Sequence, residues 1–288
     1  EFRRVLFRSI RKFTDQIDRE QHRERLKQSR KVSDTMIFDS LILYDRKRDQ
    51  TKKERNTKVD SNRSQSEQTT QIAEHNTEAR YVKTVDGKDM LTWVLYPPQF
   101  DSAKKYPSIL ICLGGPQGTL SQGWSYRWNY RLMAAQGYVV VLPNRRGTTA
   151  FGQEWTEQIS GDYPGLNMQD YLCAAREIKA EPYIDKIAAC GASYGGYSVY
   201  NLCGTHENTF DAFIAHAGIF NQEHMYMTTE EMWFPNFDNG GAPWDGTPQT
   251  NRHYGNSAHK LIKNWNTPIL VTHGEMDYRV PVDQGMAA

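Results

Sequence analysis

The chain has 288 residues, 38% of them hydrophobic, with 35 Lys/Arg against 34 Asp/Glu, so its net charge is +1. That length and apolar content can build the core of one large domain or two ordinary ones. The charge balance argues against a general nucleic-acid binder, whose affinity comes from neutralising several phosphates at once, and no run of about 18 apolar residues is present to cross a membrane as a helix.

Composition breaks near residue 80. Residues 1–80 hold 20 Lys/Arg and 14 Asp/Glu but no Gly, Pro, Cys or Trp, which leaves 15 basic against 20 acidic residues in the remainder. Three stretches are expected, 1–9, 10–79 and 80–288. The opening EFRRVLFRS has no apolar secretory core and resembles the translation of a sequencing-library adapter, so it is set aside from the fold. Residues 10–31 are dense in charge with scattered apolar positions at Phe13, Ile17 and Leu26, a solvated helix or a disordered arm. In SLILYDRKRDQTKK a β-type run from Leu41 to Tyr44 meets a polar turn and a polar strand, the pattern of one hairpin. Residues 52–78 are rich in Gln, Ser, Thr and Asn and make a poor core.

From Arg80 the pattern turns regular. YVKTVDGKDMLTWVLYPP reads as strand, Asp86-Gly87 turn and strand, ended by Pro97 and Pro98. SILICL at 108–113 and YVVVL at 138–142 are continuous apolar runs, as in strands buried on both faces of a parallel sheet. Between them Trp128, Leu132 and Met133 have helical spacing, with Gly137 as the stop. A helix over 167–180, a strand over 187–190, a helix from Gly195 and strands in FDAFIAHAG and PILVTHG follow. This alternation predicts an α/β fold, a mostly parallel sheet with helices on both faces. Cys112, Cys173, Cys190 and Cys203 form no CxxC pair and lie in apolar settings, so buried free thiols and no metal site are expected.

GASYGG, residues 191–196, follows a strand and opens a helix. That is where a nucleophile elbow sits: the turn is so tight that its serine takes a strained backbone, and flanking glycines let strand and helix approach without Cβ clashes. Ser193 is therefore the candidate nucleophile. The N–H of Tyr194, at the start of the helix, is a ready donor for a developing oxyanion, and a Gly-rich loop after an earlier strand usually supplies the second. LGGPQG, after SILIC, fits that role, although Gly-Gly-Pro also makes a plain strand-ending turn.

LGGPQG, WSYRWNYRLMAAQGY, PNRRG, FGQEW, GDYPG, GASYGGYSVY, AHAGIFN, TTEEMWF and HGEMDYRVP together resemble the catalytic domain of the prolyl oligopeptidase family of serine peptidases, over about residues 72–288. The resemblance implies an α/β-hydrolase fold, with Ser193 as nucleophile, Tyr194 and Gly115 as backbone oxyanion donors, and Asp277 as the acid that orients a histidine. It implies a cofactor-independent serine exopeptidase that releases dipeptides from oligopeptide N-termini, periplasmic or secreted, with a homodimer as its possible assembly and neither nucleic acid nor membrane as partner. An acylaminoacyl peptidase, an esterase or a non-catalytic binding protein on the same fold are the alternatives. Phe220 and Trp233 are candidates for the substrate pocket, though large aromatics in such a loop also serve as core. The N-terminal half of such proteins is a β-propeller, of which residues 10–79 would be a degenerate remnant. Two departures stand out. Leu113 occupies the place of a frequent His before Gly-Gly-Pro, and the turn at 185–186 is about two residues short, which could disturb the strand feeding the elbow.

The triad of this fold runs Ser, Asp, His along the chain. His22, His75, His206, His216, His224, His253, His259 and His273 all precede Asp277, whereas relatives place the catalytic histidine about 30 residues beyond the acid. The expectation is a C-terminally incomplete chain that lacks the base for Ser193 and is inactive by itself. A rival assignment makes His273 the base and Asp245 its orienter.

Overall fold

The computed structural model describes residues 77–288 apart from 122–124 and 126. The adapter-like start, the charged arm and the hairpin at Leu41–Tyr44 lie outside the described residues.

β1 (Thr77–Lys83) and β2 (Asp89–Leu95) pair antiparallel, from Thr77 against Leu95 to Lys83 against Asp89. The Asp86-Gly87 turn closes this hairpin as its residue types predict. Gly87 takes φ +81°, a conformation that costs glycine little, and the Thr84 hydroxyl donates to Asp86 at 2.6 Å.

Five further strands follow: β3 (Tyr106–Cys112), β4 (Val139–Pro143), β5 (Ile184–Ala192), β6 (Ala212–His216) and β7 (Ile269–Thr272). All seven form one sheet in the order β1-β2-β4-β3-β5-β6-β7. β2 meets β4 antiparallel, and every pairing from β4 through β3, β5 and β6 to β7 is parallel. The α/β class and mostly parallel sheet expected from the sequence are thus what the chain forms.

The apolar runs are continuous because both faces of the sheet are covered. Val139 and Val141 of β4 point into one core and Val140 and Leu142 into the other. Likewise Leu110 and Cys112 of β3 face the first, and Ile111 the second. α1 (Tyr130–Ala135) covers the second face through Ala134. It starts later than the spacing predicts, because Asn129 caps it by accepting the Leu132 N–H at 3.1 Å and leaves Trp128 ahead of the first turn. α2 (Gln153–Glu157) is short and has no buried residue. α3 (Leu166–Lys179) covers the first face with Tyr171, Leu172, Ala175 and Ile178, and α4 (Tyr194–Thr205) adds Val199 and Leu202.

The turn expected at 185–186 falls inside β5, where it shows as an irregularity in the pairing. Tyr106 pairs with Ile184 but Ser108 pairs with Ile187, so the register slips at Asp185 and Lys186. Pairing is regular again from Ile187 to Gly191, and the elbow downstream is undisturbed.

Between β6 and β7 the sequence suggests no elements, yet this segment folds into α5 (Gln222–Thr228), α6 (Trp233–Asp238), α7 (Pro248–Gly255) and a 3-10 turn at Ala258–Asn264. Helices of six to eight residues are too short to show a period. Thr247 caps α7 by accepting the Thr250 N–H at 3.1 Å, with Pro248 in the first turn. α8 (Val282–Ala287) follows β7.

Candidate active site

Ser193 sits between β5 and α4 with φ +59° and ψ −123°, a backbone conformation that a non-glycine residue adopts only under strain. A Cβ on Gly195 would lie 2.1 Å from the Cys112 carbonyl oxygen, and one on Gly191 would lie 2.4 Å from the Gly195 oxygen. The two glycines are therefore steric requirements of the turn. The Ser193 N–H is taken by the His216 carbonyl at 3.1 Å, and the Ser193 carbonyl accepts from Tyr197 at 3.0 Å. Tyr194 is the first residue of α4, so no carbonyl one turn back exists within the helix to accept its N–H.

Directly after β3, the Gly114-Gly115-Pro116 loop lies against this elbow. A Cβ on Gly114 would come within 2.7 Å of the Ala192 oxygen and 3.8 Å of Ser193 Cβ. Gly115 takes φ +135° and joins Pro116 through a cis bond. Gly115, Ser193 and Tyr194 line one cavity of about 320 Å³. This juxtaposition places a half-buried, cavity-lining hydroxyl beside two backbone segments able to donate N–H groups, the arrangement that acyl transfer needs.

The remaining walls come from elements the sequence did not reveal. Ile219, Met225, Val280, Tyr163 and Tyr226 supply their apolar part, with Gln222, Thr229 and Asn239 between. Glu231 and Arg279 also line the cavity and pair at 3.0 Å. TTEEMWF and DYRVP carried these two residues in the sequence, but a charge on a loop says nothing of the direction it faces.

The two aromatic candidates fall elsewhere. Phe220 is 5% exposed and packs edge-on against Tyr200 and Trp265, while its N–H donates to Gln284 Oε1 at 3.0 Å. It belongs to the core, and its neighbour Ile219, buried in the same cluster, also lines the cavity. Trp233 is 71% exposed and stacks on Phe237 at 5.1 Å, with Pro235 of the same helix reaching the cavity. Neither candidate lines the cavity beside Ser193.

Asp277 lies on the loop after β7, in a turn where its Oδ1 accepts the N–H groups of Arg279 at 3.1 Å and Val280 at 3.0 Å. Two cavity-lining residues thus hold its carboxylate in place. His216, one of the histidines that precede Asp277, ends β6 with Nδ1 2.9 Å from the Thr272 hydroxyl. Burial, then the neighbouring charges of His273 and Arg127, push its pKa down to about 4, against the pull of Asp277. His216 is a neutral ring at physiological pH.

The rival pair does not assemble. His273 Nε2 lies 2.6 Å from the Val280 carbonyl, to which it must donate, and Nδ1 faces Gly285, where a Cβ would come within 2.6 Å. Asp245 closes its own loop by accepting the Ala242 N–H at 2.8 Å. The other described histidines are engaged away from Ser193: His206 with Phe210 and Thr267, His224 with Asp283, His259 with Ser257, and His253 packed against Tyr163.

Among the described residues no group of three or more His, Cys, Asp or Glu is arranged to hold a metal ion. All four cysteines are free thiols, and burial pushes Cys190 up to about 12 and Cys112 further. No helix among the described residues is long and apolar enough to cross a membrane.

The sequence profile of the prolyl oligopeptidase family matches residues 124–288, more than half of the chain and both the elbow and the Asp277 loop. The chain belongs to the prolyl oligopeptidase family. It is 60% identical over 214 residues to dipeptidyl-peptidase 5 of Porphyromonas gingivalis, covering 73% of this chain and 31% of that protein. Dipeptidyl-peptidase 5 of Porphyromonas endodontalis is 57% identical over 221 residues, covering 76% of this chain and 32% of that one. Among solved structures, the acylaminoacyl peptidase of Pyrococcus horikoshii aligns with a TM-score of 0.64 at 27% identity, covering 73% of this chain and 34% of that one. The chain spans about a third of the length of the curated relatives it matches. Where many prolyl oligopeptidase relatives carry His before Gly-Gly-Pro, Leu113 keeps the loop in place through its backbone, its N–H donating to the Tyr171 hydroxyl at 3.0 Å.

Proposed function

We propose that the protein is a serine exopeptidase that releases dipeptides from the N-termini of oligopeptides through an acyl-enzyme. The observation that carries the reading is the single cavity shared by Ser193 on its strained elbow, the head of α4 and the Gly115 loop. Ser193 Oγ attacks the scissile carbonyl, the N–H groups of Tyr194 and Gly115 receive the developing oxyanion, and the acyl-enzyme forms as the amine leaves. Asp277, held by two backbone N–H groups, is the acid that orients a histidine. Since the described histidines are engaged elsewhere, the reading assigns the proton acceptor of Ser193 to a histidine outside the described residues.

Kinship with two proteins named dipeptidyl-peptidase 5 supports the two-residue product, and an exported location belongs to the same proposal. The likeness to an acylaminoacyl peptidase structure supports a second reading, in which the residue removed carries an acylated amine. Hydrolysis of dipeptidyl, acetyl-aminoacyl and short-chain ester substrates by the full-length gene product separates the two. Preference for a dipeptidyl amide with a free amine is expected, abolished by Ser193→Ala. Preference for the acetylated substrate would replace the first reading by the second.

A further inference from the structure

Arg145 lies in the loop just after β4, fully buried, with no carboxylate paired to it among the described residues. The neighbouring buried carboxylate, Asp170, is bound instead by Arg146 at 2.5 Å. A guanidinium stripped of water and left without a counter-ion leans on hydrogen bonds from its planar fork. Four of its five N–H groups have acceptors here. Nε donates to the Tyr171 hydroxyl at 3.0 Å, Nη1 to the Arg146 carbonyl at 2.7 Å, and Nη2 to the carbonyls of Leu113 at 3.1 Å and Pro116 at 2.9 Å.

Those last two carbonyls bracket Gly114 and Gly115. The Tyr171 hydroxyl also accepts the Leu113 N–H at 3.0 Å, so the loop is gripped from both sides of its backbone. On another side the guanidinium carbon lies 5.1 Å from the centroid of the Tyr194 ring. That ring is itself fixed, its hydroxyl bonded to Asn167 and to the Tyr163 carbonyl. Gly147 provides the room: a Cβ there would lie 2.6 Å from Nη1. One buried side chain thus touches both the loop that offers Gly115 and the residue that heads α4.

We propose that Arg145 is a positioning residue that sets the spacing of the oxyanion hole, holding the Gly115 loop at a fixed separation from the Tyr194 N–H. The inference rests on the reading of Ser193 as nucleophile. Preorganised donors act where charge develops, so a loop that drifts loses transition-state binding while leaving the ground-state complex nearly intact. Lysine keeps the charge but not the planar fork that reaches Leu113 and Pro116 together.

The test measures kcat and KM for a dipeptidyl amide in the full-length gene product, with Arg145→Met, Arg145→Lys and Ser193→Ala. Inhibition by a peptide boronate, which forms a tetrahedral adduct on the serine, is compared with inhibition by a product dipeptide. Arg145→Met is expected to lower kcat about 10- to 100-fold with KM within about twofold, and to weaken the boronate in parallel but not the dipeptide. Arg145→Lys is expected to fall between wild type and Arg145→Met. A kcat within twofold of wild type in folded Arg145→Met, or equal weakening of both inhibitors, would overturn the proposal and leave the nucleophile assignment standing. Wild-type turnover no higher than that of Ser193→Ala would overturn the reading of the site and this proposal with it. If Arg145→Met does not fold, Tyr171→Phe carries the test, since it removes the acceptor shared by Arg145 and Leu113: a kcat-selective loss supports the proposal and an unchanged kcat overturns it.

Discussion

The N–H of Ser193 donates to the carbonyl of His216 across 3.1 Å, tying the elbow to the end of the adjacent parallel strand. The tie gives a partner to a buried backbone donor that the turn would otherwise orphan, and so over-determines a backbone held at φ +59°. Strain maintained in this way is stored in the fold. Ser193→Gly should release it and stabilise the protein by about 1 kcal/mol, net of the extra entropy glycine brings to the unfolded chain. Ser193→Ala, which keeps the Cβ, should leave stability within about 0.5 kcal/mol of wild type. Urea unfolding of the three proteins checks the order, and a Ser193→Gly variant no more stable than Ser193→Ala would show that the elbow is unstrained.

The glycines around the elbow differ from other glycines in what they exclude. Gly195→Ala would press a methyl carbon to 2.1 Å from the Cys112 carbonyl, a backbone atom that cannot rotate away. β3 and α4 would have to separate, at a cost of at least about 3 kcal/mol. Gly87→Ala meets nothing within 4 Å, and its only penalty is the positive φ of +81°, about 1 kcal/mol. Comparable losses in the two variants would refute the steric account.

Arg146 distinguishes buried from exposed charge pairing within one side chain. It binds Asp170, fully buried, at 2.5 Å, and also Asp86, whose side chain is 40% exposed. Asp170→Asn keeps the shape but leaves a buried guanidinium without its inner charge, and should cost about 3–5 kcal/mol. Asp86→Asn should cost no more than about 1 kcal/mol, because solvent screens that pair. Chemical denaturation of both variants measures the gap directly, and similar losses would mean that burial does not govern the pair.

The strands and the elbow were legible because local sterics dictate them. VVVL at 139–142, a β-branched apolar run, has the pattern of a doubly buried strand, and Gly191 and Gly195 are demanded by the contacts they make. The cavity was not legible, because its walls come from short helices whose facing is decided by packing. Phe220 and Ile219 are adjacent, apolar and buried in the same core, yet only Ile219 also reaches the cavity. Arg145 was equally hidden: in sequence it reads as a loop charge, and only the convergence of β3, β4, α3 and α4 removes it from water.

His253 gives the fold a dependence on pH whose sign can be worked out. It is fully buried against Tyr163 and Tyr254, neither ring nitrogen finds a partner among the described residues, and burial pushes its pKa down to about 3. In the unfolded chain the ring titrates near its ordinary value, about 6.5. Above that value both states are neutral and pH has no effect through this group. Below it the unfolded chain takes up a proton that the folded one refuses, so stability falls as pH drops and levels out near pH 3. His216, pushed down to about 4, adds a loss of the same sign. Other groups titrate in the same window, so the contribution of His253 is read from a difference: between pH 7.5 and 5 the wild type should lose about 2 kcal/mol more than His253→Leu, which fills the site without a titratable group. Urea unfolding at the two pH values measures both losses. Equal losses would place the proton on His253 in the folded state as readily as in the unfolded one, and would mean that water or an unseen partner reaches the ring.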